Sequence, residues 1–96
     1  MSAYLIANVD VRDPDAYQAY RSRTGAIVER HGGRFIVRGG NVHPLEGEAW
    51  TRRLVIIEFP DLAAAKGFYE SREYQEVIPL RTCASDGSLL IVEGAD

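Results

Sequence analysis

The sequence predicts an α+β domain: one four-stranded antiparallel sheet with helices packed against a single face. Three observations carry the prediction. Strand-like and helix-like patterns follow one another in the order β-α-β-β-α-β. Strong capping signals open each helix. The strands are apolar on both faces, although one layer of helices can cover only one of them.

The elements follow in chain order. Ala3 to Val9 alternates as a first strand. Asp13-Pro14-Asp15 then starts a helix, with an acid at the N-cap, proline at the first helical position and a second acid at the positive end of the dipole. Tyr17, Tyr20, Thr24, Ile27 and Val28 form its apolar stripe, and Gly32-Gly33 closes it after His31. Arg34 to Arg38 reads as the second strand, and the glycine-rich polar stretch from Gly39 to Thr51 as a loop. Arg53 to Phe59 is the third strand, stopped by Pro60. Asp61 caps a second helix running to Tyr69. Ser71 caps a short further helix, with Glu73 in its first turn, ending near Pro79. Ser88 to Glu93 is the last strand. This order is the split βαβ, or ferredoxin-like, arrangement, in one domain spanning residues 1–96.

The strand faces add an expectation about assembly. Leu5, Ala7 and Val9 oppose Tyr4 and Ile6; Leu54 and Ile56 oppose Val55, Ile57 and Phe59; Leu89 and Ile91 oppose Leu90 and Val92. A chain of 96 residues has no second layer left for the other face. The economical cover is a second copy of the same sheet, so a two-fold homodimer is expected.

Composition narrows the function classes. The chain is 46% hydrophobic and 26% charged, with a formal net charge of -3, an ordinary globular balance. No basic cluster interleaves with aromatics, so nucleic acid is not an expected partner. The N-terminal apolar run is of strand length and lacks a basic flank, so neither a leader nor a membrane span is expected. Cys83 is the single cysteine. A cytoplasmic location follows as the expectation, with Cys83 read as a small buried hydrophobe.

Several strings resemble a known family: His31-Gly32-Gly33-Arg34-Phe35-Ile36-Val37-Arg38-Gly39-Gly40, Leu45-Glu46-Gly47, Val55-Ile56-Ile57-Glu58-Phe59-Pro60, Phe68-Tyr69 and Glu73-Tyr74-Gln75. Together with their spacing, they are similar to the domain-of-unknown-function 1330 family, small bacterial proteins within the dimeric α/β barrel superfamily. The resemblance covers nearly the whole chain and departs at Trp50-Thr51, where the pattern has tryptophan-proline. It implies a ferredoxin-like dimer and no established activity. Superfamily neighbours include cofactor-free monooxygenases, lactone isomerases and haem-dependent enzymes, an analogy by fold alone.

Candidate site residues are read individually. Arg38, on the Ile36 face, is a planar cation suited to clamping a carboxylate, or else the ion-pair partner of Glu58 on the neighbouring strand. Glu58 is a carboxylate in an apolar strand, a candidate general base or one half of that pair. Glu46, beside Gly47, either reaches a cavity mouth or serves the turn. His43 and Trp50 lie on the same loop and face the expected pocket between the sheet and residues 39–51. Asn8, polar on a central strand, requires partners in the backbone or in a ligand. Tyr74 and Arg81 stand two turns apart and close the pocket if their helix persists. His31 is read as a helix-end cation. Two histidines without ligand-spaced acids point to no metal or haem site, and Gly39-Gly40 opens no helix, so no dinucleotide cradle is expected. The resulting expectation is a small molecule, anionic or carbonyl-bearing, with no cofactor. It is bound either for cofactor-independent isomerase or monooxygenase chemistry, or by a non-catalytic binding or stress-response module. The bland alternative is a purely structural dimer.

Overall fold

A computed structural model describes residues 1–96. Its elements are β1 (Ala3–Val11), α1 (Pro14–Arg30), β2 (Arg34–Arg38), β3 (Arg53–Phe59), α2 (Leu62–Glu70), α3 (Arg72–Thr82) and β4 (Ser85–Glu93). The strands form one antiparallel sheet in the order β2-β3-β1-β4. The domain is ferredoxin-like, with one helix layer on one sheet, and measures only 16 Å along its shortest axis.

Local chemistry accounts for the element ends. The Asp13 carboxylate accepts from Ala16 N–H at 3.1 Å, and that of Asp61 from Ala64 N–H at 2.7 Å. The Ser71 hydroxyl accepts from Tyr74 N–H at 3.2 Å and donates to the Phe68 carbonyl at 2.7 Å, so it ends α2 and starts α3 in one residue. The core lies between the helices and one sheet face: Leu5, Val9, Val55, Ile57 and Phe59 below, Tyr17, Ile27, Val28, Phe68, Tyr74 and Val77 above.

Four details differ from the sequence reading. β1 and β4 are longer, because Asp10 and Val11 pair with Asp86 and Ser85 before the chain turns. α3 does not stop near Pro79. It continues to Thr82, with Cys83 N–H bonded to the Pro79 carbonyl at 3.1 Å. Proline sacrifices only its own N–H, and so late in a helix that loss is confined to one bond. Cys83 is exposed rather than buried, as the C-cap beyond that last turn.

The fourth detail concerns β2. Arg34 faces Glu58 and Phe35 faces Ile57, but the register then shifts, so that Val37 faces Ile56 and Arg38 faces Val55. Ile36 is the extra residue of a β-bulge. A one-residue slip exchanges the faces. Arg38 therefore joins Phe35 and Val55 on the helix side, not Ile36 and Glu58 on the outer side. The Arg38–Glu58 ion pair does not form; Glu58 pairs with Arg34 at 2.7 Å.

Candidate ligand-binding cavity

The slipped register brings Arg38 to a cavity between the sheet and helices α1 and α3. Leu5, Ala7, Val9, Val55, Ile57 and Leu89 form its floor, while Tyr17, Tyr20, Thr24 and Tyr74 descend from the helices. Phe35 and Phe68 complete the apolar wall, and Arg21, Arg38, Arg53 and Arg81 supply its charge. Its volume is about 30 Å³, room for a water or two, against the several hundred Å³ of a typical drug-sized site.

The polar centre is a chain of three side chains. Arg81 Nη1 donates to the Tyr74 hydroxyl at 3.3 Å, and the Tyr74 and Tyr20 hydroxyls are bonded at 2.7 Å. The Tyr20 and Tyr74 rings meet edge to face with centroids 6.3 Å apart, and Tyr74 also packs on Phe68 at 4.5 Å. Tyr74 is 1% exposed. Burial pushes its hydroxyl well above the usual tyrosine range, and the neighbouring Tyr20 pushes it further. Burial likewise raises Tyr20. Both hydroxyls are therefore neutral donors at physiological pH. Whichever of the two donates to the other, one hydroxyl proton remains outside that bond.

The arginines stand at one end of the sheet, where β2 ends and β3 begins. Arg38 lies over the Phe35 ring at 4.0 Å and donates Nη2 to the Arg21 carbonyl at 3.2 Å. Partial burial, then the Arg21 and Arg53 guanidiniums, lowers its pKa. The Arg53 guanidinium stands 5.9 Å from the Tyr17 ring centroid. It also lies against Gly39, whose φ of +74° and missing Cβ both admit it; a side chain there would collide with the guanidinium.

Of the residues singled out in the sequence, Arg38, Tyr74 and Arg81 line this cavity. The others do not. Glu58 is on the outer face, accepting from Arg34 and from the Tyr4 hydroxyl at 3.3 Å. Asn8 is also outside, donating to the Ser88 hydroxyl at 2.6 Å and accepting from Arg52 at 2.9 Å. Glu46, His43 and Trp50 are on the exposed 39–51 segment, which contributes no residue to the cavity. The pocket thus lies under the helices, not between the sheet and that loop. Trp50 instead borders a shallow surface groove over residues 48–52. His31 caps α1 and meets Phe68 edge-on at 6.1 Å.

Sequence reasoning missed Arg21 and Arg53 and treated Tyr20 as plain core. The signal was present in the periodicity. Arg21 lies four residues after Tyr17 and three before Thr24, on the buried stripe, and Arg53 has the strand parity of Val55 and Ile57.

Fold and site define a ferredoxin-like α+β protein with a small, cationic, tyrosine-bearing cavity under its helices. The chain belongs to the DUF1330 family, a domain of unknown function, whose profile matches residues 2–95. The structure is similar to that of a protein of unknown function from Rhodopseudomonas palustris, with a TM-score of 0.79 at 21% identity over 99% of this chain and 83% of that one. It is similar to SnoaB, a cofactor-independent oxygenase from Streptomyces nogalater, with a TM-score of 0.73 at 13% identity over 99% and 94% of the two chains. A dimeric protein of unknown function and ferredoxin-like fold from Bacteroides fragilis matches with a TM-score of 0.56 at 14% identity over 97% and 96%. At these identities the likeness is one of fold. No curated protein matches the chain in sequence.

Proposed function

We propose that this protein is a cytoplasmic homodimer that binds a small anionic or carbonyl-bearing molecule in the cavity between sheet and helices. One observation carries the reading: a part-buried Arg81–Tyr74–Tyr20 hydrogen-bond chain borders a cavity whose lining contains four arginines and no carboxylate. Such a chain offers a proton and a positive charge to a ligand oxygen and requires neither for the fold's own ion pairs.

The dimer reading rests on the outer face. Ile36, Leu90 and Val92 are 44%, 49% and 45% exposed there, beside the half-buried Ile6, Leu54 and Ile56. This is an apolar surface of the kind that pairs with itself. The fold shared with a dimeric bacterial protein supports it.

A catalytic form has one motivation, the fold shared with a cofactor-independent oxygenase. The cavity would contribute electrophilic stabilisation of an enolate or phenolate oxygen by Arg81 and a tyrosine hydroxyl. It brings no carboxylate or histidine to serve as base, and Glu58 and Glu46, the two acids considered for that role, lie outside it. Binding without turnover is the reading the geometry favours.

Native mass spectrometry of freshly purified protein tests the proposal. A dimer carrying a reproducible small-molecule adduct, absent after Arg38→Ala, is the expected outcome. A bare dimer, identical in wild type and variant across candidate ligands, would leave the structural role as the better account, and a monomer would overturn the assembly.

A further inference from the structure

Four guanidiniums reach one cavity, and none of them has a counter-ion. The ion pairs of the protein are Arg12–Asp86, Arg30–Glu73, Arg34–Glu58 and Arg72–Glu76, all elsewhere. Arg23, Arg52 and Lys66 also lack an ion pair but lie outside the cavity. What sets the cavity apart is that four cations and no carboxylate line it, in a chain with fourteen acidic and eleven basic residues. Arg21 Nε and Arg53 Nε are moreover buried without a hydrogen-bond partner. A buried charged donor without an acceptor is destabilising unless something outside the chain accepts from it.

The four cations fall into two groups. Arg21, Arg38 and Arg53 stand together: Arg38 donates to the Arg21 carbonyl, and the Arg53 guanidinium lies against Gly39, the residue after Arg38. Arg81 bonds instead to the tyrosine chain. Arg38, 4.0 Å from the Phe35 ring centroid and bonded to protein through Nη2 alone, keeps other guanidinium donors for a two-pronged contact.

We infer that the ligand is a small oxo- or hydroxy-carboxylate held at both ends, its carboxylate by Arg21, Arg38 and Arg53 and its second oxygen by the Tyr20–Tyr74–Arg81 chain. This rests on the reading of the cavity as the ligand site and names the ligand class. A planar carboxylate matches the guanidinium fork, and the apolar floor between the groups suits a short carbon skeleton. At about 30 Å³ the cavity admits such a molecule only when its arginine mouth opens. That movement breaks no ion pair. It costs Arg38 its bond to the Arg21 carbonyl at 3.2 Å and Arg21 its bond to Gln18 at 3.3 Å, both long.

Calorimetric titration with matched acids and amides tests the inference: pyruvate against pyruvamide, and 3-hydroxybenzoate against 3-hydroxybenzamide, with inorganic phosphate as a further probe. In the wild-type protein at low salt, at least one acid binds on the order of tenfold more tightly than its amide. In Arg38→Gln that margin shrinks towards one, whereas Tyr74→Phe weakens acid and amide alike. If acid and amide bind equally and Tyr74→Phe weakens both, the cavity reading stands and the carboxylate inference falls. If phosphate binds more tightly than every acid and loses that affinity in Arg38→Gln, the site takes phosphate and the carboxylate class is wrong. Absence of binding by every probe overturns inference and cavity together. Thermal melts confirm folding of each variant, and Arg53→Gln serves as a second test of the mouth.

Discussion

Two arginine–tyrosine clusters lie on opposite faces of the same sheet and differ in one component. On the outer face Arg34 and Tyr4 converge on the Glu58 carboxylate, and Arg34 is 73% exposed. On the helix face Arg81, Tyr74 and Tyr20 bond in series with no carboxylate among the cavity residues. The first cluster is satisfied by its own chain, so it has structural work and nothing left to offer. The second retains unspent positive charge and a spare hydroxyl proton. In a chain with an acidic excess, a cluster of cations with no carboxylate beside it marks the proposed site better than the acids do.

The largest effects should come from removing what each face rests on. Phe68 is 1% exposed and packs on Phe59 and Tyr74, with centroids 5.3 and 4.5 Å apart. Phe68→Ala should cost about 3–5 kcal/mol in guanidinium unfolding, by lost transfer energy and the cavity left behind. A loss under about 1 kcal/mol would mean that the helix layer collapses onto the sheet and the cavity has no rigid wall. On the other face, Ile56→Asp should leave each protomer folded and weaken the proposed dimer by about 3 kcal/mol or more, since a lone carboxylate would be trapped between sheets. Light scattering across a dilution series reads this directly. An unchanged dimer would place the interface elsewhere.

The fold was legible because its evidence is repeated along the chain. Asp13-Pro14, Asp61 and Ser71 each start a helix, and the first, third and fourth strands carry the same two-sided apolarity. The site was legible only in part, and the cause is the β2 bulge. Arg34 to Arg38 reads as unbroken alternation, with no glycine or proline to announce the extra residue at Ile36. Strict parity therefore placed Arg38 beside Glu58. The loop misled for a different reason: Glu46, His43 and Trp50 are chemically suggestive, yet proximity in sequence to Arg38 gave no information about which side of the sheet they occupy. Tyr74 and Arg81 were found because they share a helix, where spacing alone fixes the face.

The interior cluster makes an intermediate prediction. Tyr74→Phe removes one hydroxyl and leaves Tyr20 and Arg81 without their shared partner, which should cost about 1–2 kcal/mol. It should also change the response to alkali. Unfolded tyrosine releases its proton near pH 10, while the folded protein holds those of Tyr20 and Tyr74 to higher pH. Above pH 10 the folded state thus binds more protons than the unfolded state, and stability falls as pH rises, by up to about 1.4 kcal/mol per unit for each tyrosine. Below pH 10 these two groups contribute a constant amount. Denaturation series between pH 8 and 11 should show a shallower alkaline decline in Tyr74→Phe. Parallel curves would mean that Tyr74 is not held neutral by the fold.

The smallest effect should be at Glu58, and its smallness is informative. Glu58→Gln keeps the shape and an acceptor for the Tyr4 hydroxyl but removes the charge facing Arg34, whose side chain is largely in water. An ion pair so exposed on one side contributes about 0–1 kcal/mol. Ligand affinity should be unchanged, because Val55 and Ile57 face the cavity and Glu58, with the opposite parity on the same strand, does not. Arg38→Gln, one strand away on the cavity side, should do the reverse, leaving stability nearly intact while weakening the acid probes. Titration of both variants beside their melts separates the two faces. If Glu58→Gln abolished binding and Arg38→Gln did not, the functional face of the sheet would be the outer one, with the ligand seated between two copies of the chain rather than under the helices of each.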